Sequence, residues 1–62
     1  MKFRMFTDFE SGEKIALDVD SVSRIEEEKS GGTWITLKDL DALVRVQEDF
    51  DTVFSRLNTV AE

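Results

Sequence analysis

Apolar and polar residues alternate along most of this chain, and near its end the apolar spacing lengthens from two to three and four. Thr33, Ile35 and Leu37, then Val44 and Val46, recur at every second position, as in strands that bury one face. Phe50, Val53, Phe54, Leu57, Val60 and Ala61 fall at i, i+3, i+4, i+7, i+10 and i+11, the stripe of an amphipathic helix. The change of period predicts a sheet followed by a helix that covers it, with Phe50, Phe54 and Leu57 supplying much of the core.

Upstream, Phe3, Met5 and Phe9 alternate with Lys2, Arg4 and Asp8 in a first strand, with Phe6 and Thr7 out of step. Glu10-Ser11-Gly12-Glu13 has the composition of a hairpin loop, after which Ile15, Leu17 and Val19 alternate with Lys14, Ala16 and Asp18 in a second strand. Val22 and Ile25 are spaced by three, which predicts a turn or one short helical turn over Asp20-Ser21-Val22-Ser23 and a third strand from about Arg24 to Glu28. The paired glycines of Lys29-Ser30-Gly31-Gly32 supply the positive φ angles of a tight hairpin, making strands three and four antiparallel neighbours. A fourth strand over Thr33 to Lys38, a looser turn at Asp39-Leu40-Asp41 and a fifth strand over Ala42 to Gln47 follow. Asp49 is placed to cap the helix and Asp51 to meet the positive end of its dipole. The predicted fold class is α+β: a small antiparallel sheet of four to five strands covered on one face by a single C-terminal helix, in one domain spanning 1–62.

Size sharpens this picture. A chain of 62 residues buries only about 60% of the surface its unfolded form exposes. Small domains of that kind lean on disulfides, metals or self-association; with neither Cys nor His, self-association is the support left open. No apolar run marks a signal peptide or a membrane span, so the expectation is a complete short cytoplasmic protein beginning at Met1, without a membrane partner. Fourteen acids against eight bases give a net charge of −6, which opposes direct binding to phosphate backbones and leaves open an acidic decoy for a nucleic-acid-binding protein.

Candidate chemistry is sparse. Glu26-Glu27-Glu28 invites a metal or acid/base reading, but neighbouring strand residues point to opposite faces, so at most Glu26 and Glu28 share one. A solvated strand end leading into a turn, its charge discouraging edge association, is the preferred account of the run. Asp18 and Asp20 are not followed by EF-hand spacing, and neither Ser11-Gly12 nor Ser30-Gly31-Gly32 belongs to a phosphate-loop motif. Without His or Cys no nucleophile is paired with a base, and neither catalysis nor a cofactor is expected.

The residues that resist a purely structural explanation are aromatic. If Ile35, Leu37, Val44 and Val46 face the helix, Trp34, Thr36, Leu43 and Arg45 face away, and the same alternation sends Phe6 and Ala16 there. One helix covers one face, so Phe6, Trp34 and Leu43, rimmed by Arg4, Arg24 and Arg45, form the expected interaction surface. The alternative is a sheet curled enough to bury Trp34.

From about Phe6 to Leu57 the layout resembles the flagellar FlbD-like family of small bacterial proteins, and small phage proteins of similar build. The matching pieces are Gly12-Glu13-Lys14-Ile15 leading to Val19, Val22-Ser23-Arg24-Ile25-Glu26-Glu27, Gly32-Thr33-Trp34-Ile35-Thr36-Leu37, and Val44 to Val53. The resemblance implies a cytoplasmic accessory protein without enzymatic activity. Together with the residues it points to a noncatalytic accessory or regulatory protein, a homo-oligomer acting on an unidentified protein partner. Its rivals are a phage-type protein that sequesters a signalling nucleotide between Arg4, Arg24, Arg45 and Trp34 at subunit interfaces, and the acidic decoy.

Overall fold

In the computed structural model, which describes residues 2–39 and 42–58, the predicted elements are present in their predicted order. They are β1 (Phe3–Thr7), β2 (Lys14–Asp18), a 3₁₀ turn (Val19–Ser21), β3 (Val22–Glu27), β4 (Thr33–Leu37), β5 (Ala42–Val46) and α1 (Phe50–Asn58). The expected turn residues Leu40 and Asp41 and the expected helical positions Val60 and Ala61 lie outside the described residues.

The strands do not make one sheet. β1 and β2 pair antiparallel as a two-stranded sheet, and β3, β4 and β5 form a second, three-stranded one in that order. The two meet at a corner, where Asp8 bridges to Val46, the Phe9 N–H donates to the Arg45 carbonyl at 3.0 Å and the Gln47 N–H donates to the Thr7 carbonyl at 2.8 Å. A single five-stranded sheet would be about 19 Å across, whereas the nine described residues of α1 make a helix only about 13 Å long. Folding the β1–β2 hairpin over brings both sheets onto a core that so short a helix can close.

That core consists of Phe6, Ile35, Val46 and Val53, with Ile15, Leu17, Val22, Ile25, Leu37, Val44 and Leu57 packed around it. Thr33 is also fully buried, its hydroxyl donating to the Glu48 carbonyl at 2.8 Å. The expectation for β4 and β5 holds: Ile35, Leu37, Val44 and Val46 form the covered face. The expectation for β1 is corrected. Phe6, placed on the outer face by sequence alternation, is 1% exposed, while Phe3 and Met5 are exposed. Phe6 lies opposite Ile15, and Arg4 opposite Leu17, so the inward phase of β2 dictates that of β1.

Both hairpin expectations near glycine hold. Gly31 and Gly32 have φ of 128° and 79°, and the Gly31 N–H closes the turn by donating to the Glu28 carbonyl at 3.0 Å. The Asp49 cap also holds: its Oδ1 accepts the Thr52 N–H at 2.9 Å, and hydrogen bonds from Thr52 keep its carboxyl below the ordinary value of 3.8. The helix core is narrower than expected. Val53 is buried and Leu57 packs on the core, but Phe54 is 55% exposed, its ring stacked on that of Phe50. The helix turns the row of Val53 and Leu57 onto the core, and Phe54 falls beside that row.

Candidate interaction surface

Alternation along three paired strands builds the surface opposite the helix. Arg24 and Glu26 of β3 lie opposite Thr36 and Trp34 of β4, and these in turn lie opposite Leu43 and Arg45 of β5. All six side chains therefore stand on the outer face of the three-stranded sheet. Trp34, Leu43, Arg45 and Arg24 are brought together there as expected.

The remaining two expected members are elsewhere. Phe6 is in the core, and Arg4 stands on the inward phase of β1, where its Nε donates to the Arg56 carbonyl at 3.1 Å. A cation at the last carbonyls of a helix is favourably placed, so Arg4 serves the junction of β1 with α1 and not the rim of Trp34.

On the outer face the aromatic groups are held from several sides. The Arg45 guanidinium lies 3.6 Å from the centroid of the Phe9 ring and 5.4 Å from that of Trp34. Its Nη2 donates to the Gly31 carbonyl at 2.7 Å and to the Ser30 hydroxyl at 3.1 Å, tying β5 to the β3–β4 hairpin. The Trp34 indole N–H donates to Glu28 Oε1 at 2.8 Å. That bond, with others from Ser30, holds the Glu28 carboxyl below its ordinary 4.5. Beside this assembly a shallow cleft of about 300 Å³ is lined by Asp8, Phe9, Trp34, Leu43 and Arg45, and Leu43 stands 59% exposed at its edge. Arg24 pairs with Glu26 at 2.6 Å in the open.

Sequence reasoning missed three contributors. Alternation puts Phe9 in the first strand with Phe3 and Met5, but β1 ends at Thr7 and the Phe9 ring lies against Arg45. Glu48 and Arg56 carry no periodic signal, yet they form the clamp that joins β1 to α1. Glu48 accepts the Thr7 N–H and hydroxyl, both at 3.0 Å, while Arg56 lies 3.4 Å from Glu48 and donates to the Met5 carbonyl at 2.8 Å. Partial burial pushes the Glu48 carboxyl upward, but the Thr7 hydrogen bonds and the Arg56 charge outweigh it and leave the group below its ordinary 4.5.

Among the described residues no three acids gather where a metal ion could be held, and no buried side-chain polar atom lacks a partner. Within one chain Arg45 is bonded to the hairpin, Arg24 to Glu26 and Arg4 to the helix end. Comparison with protein-family models, curated proteins and solved structures finds no match.

Proposed function

We propose that the chain is a noncatalytic accessory or regulatory protein that acts through protein contacts and as a homo-oligomer, with Trp34, Leu43 and Arg45 on the partner-facing surface. The supporting observation is the preorganised apolar patch: exposed Leu43 beside a Trp34 ring held by Glu28 on its indole N–H and by the Phe9–Arg45 stack on its flank. An anchor already held in one orientation loses little entropy when a partner covers it. The resemblance to the FlbD-like family and a cytoplasmic setting belong to the same reading. A photo-crosslinking residue at position 43, compared with one at the exposed Lys38, tests it in cells that make the protein. A discrete protein adduct specific to position 43 is expected, and the absence of any such adduct overturns the surface assignment.

The cleft beside Trp34 and Arg45 favours a second reading, in which a nucleotide base stacks there. Native mass spectrometry of freshly purified protein separates the two. Protein contact predicts no retained small molecule, and a stoichiometric nucleotide mass favours sequestration.

A further inference from the structure

β3 is an edge strand, and its two directions differ. The Glu28 N–H donates to the Gly32 carbonyl, so by alternation the backbone groups of Arg24 and Glu26 point toward β4 while those of Ile25 and Glu27 point to the open edge. Among the described residues nothing on that side pairs with them. Open edges of this kind invite a further strand.

The side chains along the edge specify which strand. Two copies of β3 paired antiparallel about a twofold axis must centre on one residue. A centre at Arg24 sets two guanidinium groups opposite each other, and a centre at Glu26 sets two carboxylates opposite each other; both are repulsive. A centre at Ile25 places Arg24 of each copy opposite Glu26 of the other. It also makes Ile25 opposite Ile25 a pair that exchanges two backbone hydrogen bonds, since those groups already point outward. The Arg24 and Glu26 side chains, already in contact within one strand, would then join a four-membered charge network.

The helix adds an apolar contact on the other face. At 100° per residue Val53 and Leu57 mark the buried stripe of α1, with Arg56 to one side and Phe54 to the other. Arg56 reaches β1, while α1 packs against β3 and Phe50 shares a small cleft with Glu27 of that strand. The stacked Phe50 and Phe54 rings therefore flank α1 on the β3 side, and Phe54 is 55% exposed there. A twofold through Ile25 would bring the two helices side by side with these rings between them.

We infer that the chain forms a twofold dimer through the β3 edge, centred on Ile25, with Arg24–Glu26 pairs on the outer face and Phe54 against Phe54 below. The inference rests on the reading that the chain is a homo-oligomer; it assigns that role to β3 and leaves Trp34 and Leu43 for another partner. One short strand and two aromatic side chains lie at the small end of specific interfaces, so the dimer is micromolar rather than nanomolar.

Sedimentation velocity from about 5 to about 500 µM, spanning that affinity range, tests it with charge-swapped variants whose folding is checked by melting. Wild type should pass from monomer to dimer across the series. Arg24→Glu and Glu26→Arg should each weaken self-association at least about tenfold by placing like charges across the axis. Mixing the two variants should restore it as a heterodimer, which loss of folding cannot mimic, and Phe54→Ser should weaken it as well. Leu43→Glu, on the outer face but two strands from the β3 edge, should leave it unchanged. Association lost in Leu43→Glu but kept in both charge variants would overturn the β3 assignment while keeping the oligomer. A wild type monomeric throughout would overturn both, leaving the crosslinking at position 43 as a separate test of the outer surface.

Discussion

A side chain at position 32 has nowhere to go: a Cβ there would collide with the Val46 carbonyl oxygen and press on the Phe9 ring at 3.0 Å, with φ at 79°. Gly32→Ala should therefore cost about 2 kcal/mol or more, from left-handed strain plus the clash, read as a lowered midpoint in urea. Glu48 carries the opposite kind of constraint, polar rather than steric. Replacing it with Ala strands the Thr7 N–H and hydroxyl and removes the carboxylate beside Arg56, at a cost on the order of 2 kcal/mol. An unchanged midpoint for Glu48→Ala would show that the clamp contributes nothing. Gly32 was legible as one of a pair of turn-forming glycines. Glu48 was not, because Thr7 lies 41 positions away and no local spacing records a contact made only when β1 docks.

At the scale of the element, legibility depended on how many phases the apolar residues permitted. Thr33, Ile35 and Leu37, like Val44 and Val46, allow one inward phase, and the structure adopts it. β1 offers Phe3 and Met5 in one phase and Phe6 in the other, and counting favours the wrong one. The choice is made by pairing: with Asp8 N–H bonded to the Glu13 carbonyl, the hairpin sets Phe6 opposite Ile15. In α1 the i+3 and i+4 positions looked equivalent, yet only Val53 is buried. Val53→Ala should accordingly cost about 2 kcal/mol through lost burial and a residual cavity. Phe54→Ala should cost clearly less, because its ring is mostly exposed and stacks on Phe50. Paired chemical denaturation curves check the ranking, and a larger loss at Phe54 would contradict the packing. The surface residues followed the same rule: Trp34, Leu43 and Arg45 were found from unambiguous strands, whereas Phe6 and Arg4 were misplaced together with β1.

For the molecule as a whole, four carboxylates tie the ends of elements together, and all are held below their ordinary values. Asp8 accepts from Ser11 in the first hairpin, Glu28 from Trp34 in the second, Glu48 from Thr7 at the clamp and Asp49 from Thr52 at the cap. A group whose folded pKa is depressed contributes stability that is present above its unfolded value and is lost as pH falls through the folded one. The relevant unfolded values are the ordinary 3.8 and 4.5 of Asp and Glu. Net charge acts in the other direction, since the −6 at neutral pH shrinks toward zero near pH 4.5 and its self-repulsion relaxes. Between about pH 7 and about pH 5.5 the carboxylates stay ionised in both states and, with no His in the chain, the net charge hardly changes, so stability should hold nearly level. Below about pH 4.5 the unfolded chain takes up protons before these four groups do in the folded one, and stability should fall. Thermal melts across that range test the sequence of events, and Glu48→Gln should show a shallower acid limb because its share of the linkage is gone. Because the net charge turns positive below about pH 4.5 and repulsion then grows again, a melting temperature that kept rising below about pH 4 would contradict the carboxylate contacts themselves.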